Sequence, residues 1–312
     1  MKKHLLSRRQ FSARGVAFGM SLPAVSASLA LAAAETAKHT VKFPDGTSVP
    51  AVGQGAWHLG QGRHPQAVER EAVRSGVSLG MTLIDTSGNY GNGRSEQFLS
   101  QVISEQREHI YLVSKVESYE VSGDGIARAC AASLARLGTH YLDLYLLHAP
   151  VATKEFPGVV AAFEKLRAVG KIRSWGVSNF DMGQMEALFR VPDGNHCATN
   201  QIPYSLNRRN IERDVLPWCL QHDVPVMAYS PLGGDHHLVV GDSTLAQIAA
   251  AHNCPPAAVA LAWVIRSGKV IAIPESGSPE HVKENAQALT VELSPQDLQA
   301  LAAAFPGPSG AA

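Results

Sequence analysis

The chain has 312 residues, and its 27 Lys and Arg balance 27 Asp and Glu, so the formal net charge is zero with neutral histidines. That balance excludes a strongly basic nucleic-acid binder, and 45% hydrophobic against 17% charged residues excludes an intrinsically disordered chain. A chain of this length holds either one large α/β barrel or two smaller domains.

Residues 1–34 stand apart. Lys2, Lys3, Arg8, Arg9 and Arg14 lie there without a single acid, which leaves the remainder mildly acidic. Ser7-Arg8-Arg9-Gln10-Phe11 leads into a weakly apolar stretch, Gly15 to Ala34, rich in small residues and broken by Pro23. The segment resembles a twin-arginine export signal. The resemblance implies cleavage after Ala34, a periplasmic destination, and the twin-arginine machinery as a partner of a passenger folded beforehand with its cofactor. With the signal unused the chain would stay cytoplasmic. The Gly, Ala and Ser content is too high for a spanning helix, so no stable membrane insertion is expected after cleavage. The expected division is a signal over 1–34 and one folded body over 35–312.

The body opens with an expected hairpin from Val41 to Val49, turning at Asp45-Gly46. Short apolar runs follow near Val52 to Trp57, then at Leu83-Ile84, Ile110 to Val116, Leu142 to Leu147, Ile172 to Val177, Ala198 to Ile202, Val224 to Tyr229 and Val270 to Ile273. Each reads as a buried parallel strand. Helical spacing fills the gaps, as in Ile126 to Leu137, Val159 to Val169 and Ile211 to His222, with Gly138 and Gly170 as stops. Eight such units point to a (β/α)8 TIM barrel whose bottom the hairpin caps, and Gly53-Gln54-Gly55 lacks the third glycine of a doubly wound dinucleotide fold. Phe305 to Ala312 reads as a frayed tail. Cys130, Cys197, Cys219 and Cys254 have neither disulfide nor zinc spacing and read as inert thiols.

In such barrels the chemistry collects where strands end. Asp85, Lys115 and His148 directly close apolar runs, and Tyr90 lies five residues beyond Asp85. Singly each has an ordinary structural role. Together they make sense as a device: an ammonium beside a phenol favours the phenolate, and a carboxylate keeps that ammonium charged and oriented.

The motifs Gly80-Met81-Thr82-Leu83-Ile84-Asp85-Thr86, Tyr90-Gly91-Asn92-Gly93-Arg94-Ser95-Glu96, Leu137-Gly138-Thr139-His140-Tyr141-Leu142-Asp143 and Gly170-Lys171-Ile172-Arg173-Ser174-Trp175-Gly176-Val177-Ser178-Asn179-Phe180 occur in order, followed by Asn200-Gln201 and Ala228-Tyr229-Ser230-Pro231-Leu232. Over Thr40 to Ala304 the chain resembles the aldo-keto reductase family. The resemblance implies an NAD(P)H-dependent reductase of aldehydes or ketones, a small-molecule carbonyl as its substrate, and no nucleic-acid partner. Tyr90 would be the general acid, Lys115 would lower its pKa, Asp85 would hold Lys115, and His148 would hydrogen-bond the developing oxyanion. Ser178, Asn179 and Gln201 would hold the nicotinamide carboxamide, Tyr229 would stack on its ring, and Ser230, Leu232 and Ser276 would join the cofactor cradle. Glu284 and Asn285 match positions on the adenine side. Trp57, Tyr90 and His148 would meet the substrate, under a lid from Leu232 to Val240. His236 and His237 in that lid read as solvated, and no metal is expected.

The chain departs from the pattern where family members preferring NADPH carry a lysine and an arginine. Glu275 and His281 stand there instead. A carboxylate would repel a 2′-phosphate and accept ribose hydroxyls, which leans the expectation towards NADH. Two other readings share the fold: a cofactor-sensing subunit and an oxidoreductase that keeps its cofactor bound.

Overall fold

The computed structural model describes residues 39–234 and 238–308. The expected signal over 1–34 and both lid histidines lie outside the described residues.

Strands β1 (Thr40–Lys42) and β2 (Ser48–Pro50) form the antiparallel hairpin, with Val41 opposite Val49. Its turn is longer than a two-residue loop: the Phe43 N–H donates to Thr47 O and the Gly46 N–H to Phe43 O, and Gly46 takes the φ of 91° that glycine allows without strain. Phe43 stacks on Tyr111 at 5.3 Å, and Asp45 accepts a hydrogen bond from Ser174 Oγ at 2.9 Å.

Eight parallel strands follow: β3 (Gln54–Gly55), β4 (Leu83–Asp85), β5 (Tyr111–Val116), β6 (Leu142–Leu147), β7 (Ile172–Ser178), β8 (Asn200–Pro203), β9 (Val226–Tyr229) and β10 (Val270–Ala272). They pair in chain order, and the outer strands meet through bridges between Val52 and Ala272 and between Gly55 and Glu275. Gly53 N–H donates to Ala272 O at 2.8 Å across that seam. The sheet thus curls round onto its own first strand. β4, β6 and β10 are buried along their whole length, which is why their sequences do not alternate and are apolar apart from Asp85 and Asp143.

Outside the sheet run α1 (Gln66–Ser78), α2 (Arg94–Ile103), α3 (Gly125–Leu137), α4 (Phe156–Ala168), α5 (Met182–Phe189), α6 (Val215–Gln221), α7 (Ser243–Ala251), α8 (Pro256–Ile265), α9 (Pro279–Ala286) and α10 (Pro295–Ala304). Gly138 closes α3 with φ 65°, as its position implied. The single helix expected over Ile211 to His222 is two pieces. A 3-10 turn, Asn210–Arg213, precedes α6, because Asp214 leaves helical geometry at φ −144° and its carboxylate caps the Val215 N–H. Of the tail expected to fray over Phe305 to Ala312, residues 309–312 lie outside the described residues, and its start is anchored. Phe305 packs half-buried against the core, and its carbonyl accepts from Arg209 Nη1.

Candidate active site

Polar side chains gather at the carboxyl ends of the strands. Asp85 is the last residue of β4, Lys115 the fifth of β5, and His148 the first after β6, while Tyr90 returns from the loop after β4. Lys115 Nζ donates to Asp85 Oδ2 at 2.7 Å, to Thr86 O at 2.9 Å and to Tyr90 Oη at 3.1 Å. All three ammonium protons are thereby used in a site where the lysine side chain is 0% exposed. The second oxygen of Asp85 accepts from Gln201 Nε2 at 2.7 Å.

Burial works against the Lys115 ammonium, yet Asp85 and Tyr90 outweigh it and hold its pKa above the ordinary lysine value. For Tyr90 the outcome departs from the sequence expectation. Lys115 does pull the phenol down, but burial pushes it up more strongly and Asp85 adds to that, so the net direction is upward.

His148 meets the edge of the Tyr90 ring at 5.8 Å between centroids. Its Nδ1 hydrogen-bonds the carboxylate of Glu117 and lies 3.3 Å from Ser87 Oγ. Sequence reasoning missed Glu117. The signal was available, since Glu117 stands two residues beyond Lys115 and just past the end of β5.

Tyr90 and His148 open into a cavity of about 430 Å³, over which Trp57 stands 53% exposed. Ser178, Asn179, Gln201, Tyr229, Ser230 and Leu232 line it too, so the residues expected to hold nicotinamide converge. They also bond one another: Ser178 Oγ donates to Gln201 O, Asn179 Nδ2 to Ser178 Oγ and His148 O, and Tyr229 Oη to Asn179 Oδ1 at 2.9 Å. Asn179 and Ser230 adopt φ of 63° and 48°, left-handed conformations that the end of a strand imposes at a cost of about 1–3 kcal/mol each.

A second, polar cavity of about 220 Å³ contains Ser276 and His281 together with His58, Arg63 and His64. Glu275 borders both cavities. Its carboxylate is held by His58, from the backbone N–H at 3.0 Å and from Nδ1 at 2.9 Å. Burial pushes the Glu275 carboxyl up against the opposing pull of His58 and Arg63. Where the sequence leads one to expect ribose hydroxyls donating to this carboxylate, the structure has two nitrogens of His58 engaging it. Ser278 caps α9 by accepting from the His281 N–H, Glu284 is half-buried, and Asn285 is 3% exposed. Asn285 Oδ1 has no hydrogen-bond partner among the described residues. An orphaned amide acceptor one helical turn beyond His281, which lines the polar cavity, fits a ligand that brings its own N–H donors.

Among the described residues no three His, Cys, Asp or Glu side chains gather as metal ligands. The cysteines are free, and burial pushes Cys197 and Cys219 up to about 12.

A profile described as the Aldo/keto reductase family matches residues 51–305. The chain belongs to the aldo/keto reductase family. Within it, the chain is 47% identical over 273 residues to methylglyoxal reductase YeaE of Escherichia coli, an alignment covering 86% of this chain and 96% of that protein. It is 31% identical over 261 residues to a glyoxal reductase of Bacillus subtilis, covering 84% and 91%. An aldo/keto reductase from Klebsiella pneumoniae, solved in complex with NADP and acetate, superimposes with a TM-score of 0.82 at 44% identity, covering 86% of this chain and 96% of that one.

Proposed function

We propose that this aldo/keto reductase reduces a small aldehyde or ketone to its alcohol, with NAD(P)H consumed one for one. The observation that carries the reading is the chain of hydrogen bonds from Asp85 through Lys115 Nζ to Tyr90 Oη at the wall of the larger cavity. A nicotinamide cofactor held there would supply the hydride for the carbonyl carbon. Tyr90 gives its hydroxyl proton to the carbonyl oxygen and recovers one from solvent. Lys115, neutralised by Asp85, stabilises the phenolate left behind, and His148 donates a hydrogen bond to the same oxygen. Ser178, Asn179, Gln201 and Tyr229 orient the nicotinamide, Ser230, Leu232, Ser276 and His281 cradle the rest of the cofactor, and Glu284 and Asn285 serve its adenine end.

The raised pKa of Tyr90 gives the direction of the pH effect. Tyr90 stays a protonated donor through the neutral range, whereas alcohol oxidation needs the phenolate and so speeds up as pH rises. The test is Tyr90→Phe. It should lower carbonyl reduction by about 10²- to 10⁴-fold while fluorescence titration shows unchanged cofactor binding. Turnover retained by the variant would remove Tyr90 from the role.

The names of the relatives support a small dicarbonyl of the glyoxal class as substrate, contacting Trp57, Tyr90 and His148. For the cofactor, the lean towards NADH loses support, because His58 already engages the Glu275 carboxylate that was expected to accept ribose hydroxyls. NADP in the Klebsiella relative supports NADPH instead. The hairpin reads as a cap over the barrel bottom, supported by the contacts of Phe43 and Asp45 with β5 and β7. Residues 1–34 read as a twin-arginine signal to the periplasm, supported by Arg8-Arg9, the absence of acids and the small residues up to Ala34.

A further inference from the structure

We propose that Glu117 is a positioning residue that makes His148 a cationic hydrogen-bond donor to the substrate oxygen; the inference rests on the carbonyl-reductase reading. An ionised carboxylate only accepts hydrogen bonds, so the nitrogen of His148 that meets Glu117, Nδ1, carries a proton. Nε2 makes no hydrogen bond to the described residues, and His148 lines the larger cavity. A neutral ring protonated at Nδ1 has a bare Nε2, which can accept but not donate. A donor to a carbonyl oxygen therefore needs both nitrogens protonated, and the charge of Glu117 balances the resulting imidazolium.

The groups facing His148 allow that state. Glu117 approaches from the end of β5, the Ser87 hydroxyl from the loop after β4, and Tyr90 presents its ring at 5.8 Å between centroids. The nearest other cation, Lys115, is neutralised by Asp85 at 2.7 Å. With Tyr90 neutral, the four charges cancel in two pairs, Lys115 with Asp85 and His148 with Glu117. The side chains of His148 and Glu117 are only 20% and 15% exposed, so solvent screens their pair weakly. As negative charge develops on the substrate oxygen, an imidazolium stabilises it more than a neutral imidazole does, and the gain falls on the transition state rather than on substrate binding.

The experiment compares Glu117→Gln, which keeps the shape and removes the charge, with Glu117→Asp, and runs Tyr90→Phe in the same assay. Glu117→Gln should lower kcat about ten- to hundredfold, with KM and NADPH binding little changed. The alkaline fall of its reduction rate should move to lower pH, because the variant loses the imidazolium sooner. Glu117→Asp should recover part of the rate. Nitrogen-15 NMR of the unmutated protein should find both ring nitrogens of His148 protonated at neutral pH. Wild-type kcat and pH profile in Glu117→Gln, with Tyr90→Phe inactive, would overturn the role of Glu117 alone. A bare Nε2 in the NMR spectrum would do the same. Turnover by Tyr90→Phe would overturn the carbonyl-reductase reading as well.

Discussion

Glu275 shows how much a single side chain's meaning depends on its neighbour. By sequence it is an acid where a lysine would grip phosphate. In the structure, His58 donates to it from both backbone and ring, and Arg63 adds an opposing charge. The carboxylate repels a nearby phosphate less when a cation or a donor pair already engages it. Glu275→Lys should still raise the ratio of NADPH to NADH affinity by about tenfold, or 1.4 kcal/mol, as read by fluorescence titration with each cofactor. An unchanged ratio would place the 2′-phosphate beyond reach of residue 275. Tyr90 gives a related lesson. The sequence supplied the right partner in Lys115, but the sign of the net shift came from burial, which the sequence does not state.

Helices and strands were legible wherever a strong local signal existed. Gly138, Ser278 and the apolar runs of β5 and β6 all mark their elements because capping, left-handed φ and full burial leave a mark in residue type. The split before α6 was not legible, since Asp214 fits a helical pattern and ends it only through its own capping bond. A full capping box starts α10, where Ser294 accepts from the Asp297 N–H while Asp297 accepts from the Ser294 N–H. Ser294→Ala should cost about 1 kcal/mol in urea unfolding, and no loss would show that the last helix is held by Leu301 and its packing instead. Burial disfavours the Asp297 carboxylate, but bonds from Ser294 and His252 outweigh it and hold the group below its usual range. Its contribution to stability is therefore present above the unfolded value and lost as pH falls through the lowered folded one.

At the scale of the molecule, the eight parallel strands meet end to end across the Val52–Ala272 seam within the described residues. The export signal proposed for residues 1–34 would be removable. A chain beginning at residue 35 should fold and reduce carbonyls as the full chain does, and the double change Arg8→Lys, Arg9→Lys should hold the full chain in the cytoplasm on cell fractionation. A periplasmic fraction unaffected by the double change would remove the export reading.

Taken alone, the sequence determined the eight-unit α/β body, the order of its strands, and the identity of Asp85, Tyr90, Lys115 and His148 as strand-end polar residues. These follow from periodicity and from local rules about where strands stop. Tertiary structure alone decided the pairings across long stretches of chain: His58 with Glu275, 217 positions apart, and Gln201 with Asp85, 116 apart. It also decided which of two opposing influences on Tyr90 prevails. Such pairings exist only once the sheet has curled round and excluded water, because a hydrogen bond or a desolvation cost is set by distance in space, and separation along the chain does not encode it.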